Sequence, residues 1–157
     1  MVGDLEGLYH NKVRSWARKV RYDRRIVSPS ITVTERGAVC GSRVTMDFVY
    51  SEKVVSAIGW TVRSCILGMA STACLAEIGQ QNDIFCIIDA GRKLELLLKG
   101  SEPEFDGEWN ELEMFRSATG FPSRHTAILL PFKIAEMSWN ELSAGGIVNQ
   151  ANKTIDT

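Results

Sequence analysis

The sequence is short of the residues from which most active sites are built. It holds two histidines, His10 and His125, and four cysteines, Cys40, Cys65, Cys74 and Cys86, in 157 residues. It has no glycine-rich phosphate loop, no H-E-x-x-H pair and no G-x-S-x-G elbow, so the supports for phosphate, zinc-protease and serine-hydrolase chemistry are missing. The cysteines are spaced neither as a C-x-x-C pair nor as a zinc knuckle. The net charge of -1 gives no general attraction to nucleic acid or to an anionic membrane surface. No apolar run approaches the length of a membrane span, and the opening MVGDLEGLYH lacks the apolar core of a signal peptide. The expectation is a binding protein rather than an enzyme, in a reducing cytoplasm. There a cysteine pair serves as metal ligand or reactive thiol more often than as a structural disulfide.

What is present suits one ordinary globular domain. Hydrophobic residues make up 45% and charged residues 24% of the chain, and the length suffices for a real core. The domain is expected over residues 1–143, with a polar tail over 144–157. Leu5, Leu8, Tyr9, Val13, Trp16, Ala17 and Val20 recur at helical spacing and predict a helix over residues 5–22. Its other face carries Lys12, Arg14, Arg18, Lys19 and Arg21, which reads as a solvated face or a docking surface for an acidic partner. His10 reads as a surface residue of this helix.

The chain is organised around the stretch from Val39 to Glu77. Val44, Met46, Phe48 and Tyr50 alternate with Thr45, Asp47 and Val49, and Val54, Ile58, Trp60 and Val62 alternate with Val55, Ala57 and Thr61. A period of two marks half-buried strands. Closing the two runs as a hairpin at Ser51-Glu52 sets Tyr50 opposite Lys53, with paired positions summing to about 103. Cys40 then faces a position near Arg63, and Cys65 comes to the same end of the hairpin. A shorter strand at Ile31–Thr34 completes a three-stranded meander. Helices are predicted over residues 68–81, over Ile84–Lys99 with Gly100 as stop, over Trp109–Arg116, and from Pro131 to Leu142. Strands followed by helices argue for an α+β domain with helices on one face of a small antiparallel sheet.

Cys40 precedes a glycine in a loop, and Cys65 stands just before a helix, whose N-terminus attracts an anionic thiolate. Thiolates bind zinc, iron and iron-sulfur clusters and also attack disulfides. Either cysteine is equally well read as a buried small apolar residue. Cys74 and Cys86 fall among apolar neighbours in predicted helices and read as core residues. His125, in PSRHTAILLPF, gains value only if its loop folds back to the two thiols.

These residues resemble the IscU/SufU/NifU N-terminal family of iron-sulfur cluster assembly scaffolds. VCGSRVTMDF is similar to the strand entry that carries the family's first cysteine. SCILGMASTACLAE is similar to its second cysteine segment, and FPSRHTAILLPF to its third. LYHNKV resembles part of its N-terminal helix. The resemblance implies a SufE/NifU-like α+β fold. It also implies receipt of sulfur from a cysteine desulfurase, transient assembly of a [2Fe-2S] cluster, and delivery to recipient apo iron-sulfur proteins. In the SufU-like branch the same site holds zinc and accepts sulfur.

Carried over by position, the family's first two cysteine ligands are Cys40 and Cys65. Its ligand aspartate falls at Ser42 and its third cysteine at Ala127. The histidine that precedes the third cysteine in IscU-like members falls at Thr126, with His125 one place earlier. The chaperone-recognition stretch of IscU-like members would fall at Gly120 to Arg124, and GFPSR does not match it. The implied iron-binding set is therefore Cys40 and Cys65, with His125 as candidate third ligand. Two chains of a homodimer, each giving both cysteines to one cluster, would reach four ligands. Three readings follow: a scaffold holding iron or a [2Fe-2S] cluster; a zinc-containing sulfur acceptor; or a regulatory interaction module that keeps the fold without the metal.

Overall fold

The computed structural model describes residues 10–37 and 41–145. Cys40, the first turns of the predicted N-terminal helix and the polar tail after Gly145 lie outside these residues. The elements run α1 (Asn11–Arg18), β1 (Ile31–Arg36), β2 (Arg43–Ser51), β3 (Val54–Arg63), α2 (Ile66–Gly79), β4 (Asn82–Asp83), α3 (Ile84–Leu98), a 3-10 segment (Gly107–Ala118) and α4 (His125–Gly145). The class is α+β, as the strand-then-helix order implies.

The sheet has four antiparallel strands in the order β1-β2-β3-β4, one more than expected. The extra strand is short. Asn82 and Asp83 pair with Val55 and Val54, although the two residues also do what their types predict. Asp83 caps α3 by accepting from the amide of Phe85 at 2.8 Å.

The hairpin between β2 and β3 closes one residue later than the polar break suggests, with Glu52-Lys53 as its turn. Ser51 pairs with Val54, Tyr50 with Val55, and a bulge follows between Val49 and Tyr50. Glu52 takes a left-handed backbone at φ 57°, which supplies the tight turn that no glycine or asparagine was there to signal. Turn and bulge together move the register, so Arg63 faces Arg43 rather than a position near Cys40.

One face of the sheet supports the core. Val33, Val44, Met46, Phe48, Ile58 and Val62 are buried there. α2 lies in the centre of the helical layer and is buried on nearly all sides, from Leu67 to Gly79. Its small residues Ala70, Ala73 and Ala76 let neighbouring helices come close. α1 buries Val13 and Ala17 and is capped by His10, whose side chain accepts from the amide of Lys12. His10 thus stands just before the helix as its cap. α3 runs to Leu98, and Gly100 follows at φ 97°. Phe85 is half exposed and stands edge-on against Trp139 at 5.6 Å. α4 begins at His125 and not near Pro131, which lies buried inside the helix. The helix accepts the proline because its packing against α2 and α3 compensates for the lost hydrogen bond.

The opposite face is closed by the segment before β1. Asp47, on β2, is fully buried there. Its carboxylate accepts from Arg25 Nε and Nη2 at 2.8 and 2.9 Å, from the Ile26 amide at 2.9 Å, and from the Thr32 hydroxyl at 2.6 Å. Gly59, paired with Asp47 across the ladder, makes room for the crossing chain. A Cβ there would stand 2.6 Å from the Arg24 carbonyl. Arg24 and Trp60 exchange backbone hydrogen bonds at 2.8 and 2.9 Å, which fixes the strap to β3.

The Arg25 guanidinium, with the Thr32 hydroxyl and Ile26 amide, lowers Asp47 to about 2, against about 3.9 in an unfolded chain. The folded value is the lower one, so this stabilisation is complete above about pH 4 and is lost as pH falls toward 2. The shift corresponds to roughly 2–3 kcal/mol. In Asp47→Asn, urea unfolding at pH 7 should show a loss of about 2–3 kcal/mol, and the stability profile between pH 4 and 2 should flatten. An unchanged acid profile would locate the acid sensitivity elsewhere.

Candidate functional site

The sheet and the helices meet at the end of the hairpin distant from its turn. There β3 ends at Arg63, Ser64 follows, and Cys65 stands as the N-cap of α2 with extended backbone. The Cys65 thiol is half-buried and makes no capping hydrogen bond. The helix-start position expected for Cys65 is thus the one observed.

Ser42, where the resemblance places the ligand aspartate, is buried at the same corner. Its hydroxyl lies 3.1 Å from that of Ser64. Ser42 immediately precedes β2, whose Arg43 pairs with Arg63, the residue before Ser64.

Ala127, where the resemblance places the third cysteine, is buried in the first turn of α4. Pro131 has no N–H to give to the Ala127 carbonyl, its ordinary helical partner. That carbonyl faces α2, where a Cβ on Gly68 would stand 3.3 Å from it and would also strike the Ser64 hydroxyl. The Ser71 hydroxyl donates to the next carbonyl, that of Ile128, at 2.5 Å. The absence of a side chain at Gly68 therefore lets α2 and α4 meet, and that contact sets position 127 beside the first turn after Cys65.

His125 is half-buried at the head of α4. Its Nε2 donates to the Ala118 carbonyl at 2.8 Å. That bond commits one ring nitrogen to the end of the 3-10 segment and leaves Nδ1 as the only ring donor for a metal. Cys74 is fully buried, and burial pushes its thiol well up, with Glu111 and Glu77 adding to the effect. It is not a nucleophile at neutral pH. Cys86 is exposed on α3 rather than in the core. It lies on the wall of a cleft of about 600 Å³ with Asp89, Lys93, Phe105 and Trp109, formed by α3 and the 3-10 segment.

The structure thus brings together Ser42, Ser64, Cys65, Gly68 and Ala127. Sequence reasoning missed Ser64 and Gly68, whose roles depend on contacts across elements. No group of three or more His, Cys, Asp or Glu side chains that could hold a metal ion occurs among the described residues. The described residues by themselves therefore do not make up a four-ligand metal or cluster site. Among the described residues, no helix is long and apolar enough to cross a membrane.

No protein-family model matches the sequence, and no curated protein matches it. Solved structures do. The chain superposes on the N-terminal part of a NifU-like protein from Brucella abortus with a TM-score of 0.84 at 21% identity, covering 89% of this chain and 97% of the other. A protein from Fervidobacterium islandicum, described as an iron-sulfur cluster assembly scaffold for the SUF system, gives 0.75 at 18% identity, covering 84% and 96%. A hypothetical protein gives 0.73 at 15% identity, covering 86% and 98%.

Gly68→Ala should cost about 1–2 kcal/mol, because Ser64 must turn away and its hydrogen bond at the corner is lost. It should also raise the rate at which Cys65 is alkylated by iodoacetamide, read by peptide mapping. Wild-type stability together with a wild-type alkylation rate would show that Gly68 does not set the packing around Cys65. The chain has the α+β fold of the NifU-like and SufU scaffold structures.

Proposed function

We propose that the protein works in iron-sulfur cluster assembly as a scaffold-type carrier whose chemistry rests on the thiols of Cys40 and Cys65. The observation that carries the reading is the position of Cys65, a half-buried thiol free of any capping bond at the start of α2, on the fold shared with NifU-like and SufU scaffolds. In this reading a cysteine desulfurase supplies sulfur, and recipient apo iron-sulfur proteins take the product.

The cargo is a [2Fe-2S] unit, which requires four ligands. One chain offers the pair Cys40 and Cys65. Ser42 and Ala127 contribute no thiolate or carboxylate, and His125 has one ring nitrogen already committed. Two chains that present the pair to one cluster would complete four thiolates without His125. This makes the carrier a homodimer while loaded and a monomer when empty.

The burial of Ser42 and Ala127 favours a second reading, a sulfur acceptor. A persulfide needs one thiol and no ligand set. Zinc would be a weaker component of that reading, because zinc wants the same four ligands.

The decisive preparation is protein reconstituted with iron and sulfide without oxygen. Equal amounts of iron and acid-labile sulfide should be found, at about one cluster per two chains, and both should be lost in Cys40→Ala and in Cys65→Ala. Normal iron and sulfide in both variants would place the site elsewhere and overturn the reading. Absence of metal together with a persulfide on Cys65 after incubation with a cysteine desulfurase would replace the scaffold with the sulfur acceptor.

A further inference from the structure

The basic face of α1 is not uniformly solvated. Its two lysines have carboxylate partners: Lys12 reaches Glu111 and Lys19 reaches Glu77, both at 3.2 Å. Arg14 and Arg18, one turn apart on the same helix, have no carboxylate partner among the described residues. Arg21 continues the row and lies over the Tyr22 ring at 5.8 Å. These three arginines line a groove of about 320 Å³ whose apolar floor is Ala17 of α1 with Ile66 and Met69 of α2. Ile66 is the residue after Cys65, and the Met69 amide donates to the Cys65 carbonyl at 3.0 Å. The groove therefore lies against the first turn of α2, the turn that Cys65 caps.

A second row of arginines approaches the same corner from the sheet. Arg36, Arg43 and Arg63 stand side by side across β1, β2 and β3 at the ends of those strands. Like charges placed directly opposite one another destabilise a sheet. Only Arg63 has a carboxylate partner among the described residues, Asp23 at 3.2 Å. On a chain whose net charge is -1, positive charge is thus gathered along the groove at the first turn of α2 and across the strand ends that include Arg63, two residues before Cys65.

We propose that the arginine-lined groove between α1 and α2 docks an acidic segment of the protein that delivers sulfur to Cys65. Carboxylates of the segment meet Arg14, Arg18 and Arg21, and an apolar side chain rests on Ile66 and Met69. The identity of the partner as a sulfur donor rests on the function proposed above. The choice of an acidic segment rests on the groove alone. Arginine suits this role because its planar fork holds carboxylates in pairs, and unpaired positive charge at a site speeds the encounter with an anionic partner.

The test uses three ten-residue peptides, one rich in glutamate, one in serine and one in lysine. Each carries a single cysteine as its mixed disulfide with thionitrobenzoate. The Cys65 thiolate attacks the peptide sulfur, a peptide–Cys65 disulfide forms, and thionitrobenzoate leaves with the electron pair of the broken bond. Adduct at Cys65 is quantified by peptide mapping. At low salt the glutamate peptide should react about tenfold faster than the serine peptide and the lysine peptide more slowly than either. The advantage should vanish at about 0.5 M salt, where screening is nearly complete. In Arg14→Gln with Arg18→Gln the glutamate peptide should fall to the serine rate, while the serine rate stays unchanged and shows that the thiol and fold are intact. A glutamate peptide no faster than the serine peptide, or an advantage that survives both substitutions, would overturn the proposal. No iron enters the experiment, so its failure and the failure of cluster binding are separate results.

Discussion

The fold depends on one buried carboxylate. Asp47 takes four hydrogen bonds from Arg25, Ile26 and Thr32, and with them it holds residues 24–26 across one face of the sheet. An ionised carboxylate without water is costly unless its oxygens are satisfied, so the strap, the start of β1 and the centre of β2 are bound to a single arrangement. Gly59 is part of the same constraint, since any side chain there would displace the Arg24 carbonyl. With that face closed by the strap, the helices occupy the other face, and the hairpin end that carries Ser64 and Cys65 meets α2 and α4.

The general layout was legible because it is written in local patterns. Alternation marked β2 and β3, helical spacing marked α1 and α3, and Asp83 and Gly100 mark the limits of α3 as their residue types predict. What was not legible depends on partners distant in sequence. The register of the hairpin turned on a left-handed Glu52 and a bulge at Val49, and neither residue advertises such a conformation. Asp47 alternates like any outward-facing strand residue until Arg25 is placed beside it. Pro131 reads as a helix start, yet α4 begins at His125 because its first turn is held from outside by Ser71 and packed against Gly68. Cys86 and Phe85 sit in an apolar run, and only the packing of α3 against α4 decides that both face outward.

The candidate site shows the same division. The convergence of positions 42, 65 and 127 was implied by resemblance, and the contacts of Ser64 and Gly68 give it a physical basis. The chemistry that converged is thinner than the fold suggests. Where a four-ligand site needs a carboxylate and a third thiolate, this corner has a serine pair and a buried methyl group. The proposed function therefore has two chains share a four-coordinate cargo, which makes their assembly part of the binding event. The arginines along the groove at α2 are proposed for a different step, the encounter that brings sulfur to Cys65.

The sharing claim is tested most directly by native mass spectrometry of protein reconstituted with iron and sulfide without oxygen. The account predicts a metal-free monomer and, as the only cluster-bearing species, two chains with one [2Fe-2S] unit. A single chain carrying a whole cluster would contradict it, because the donors of one chain would then suffice.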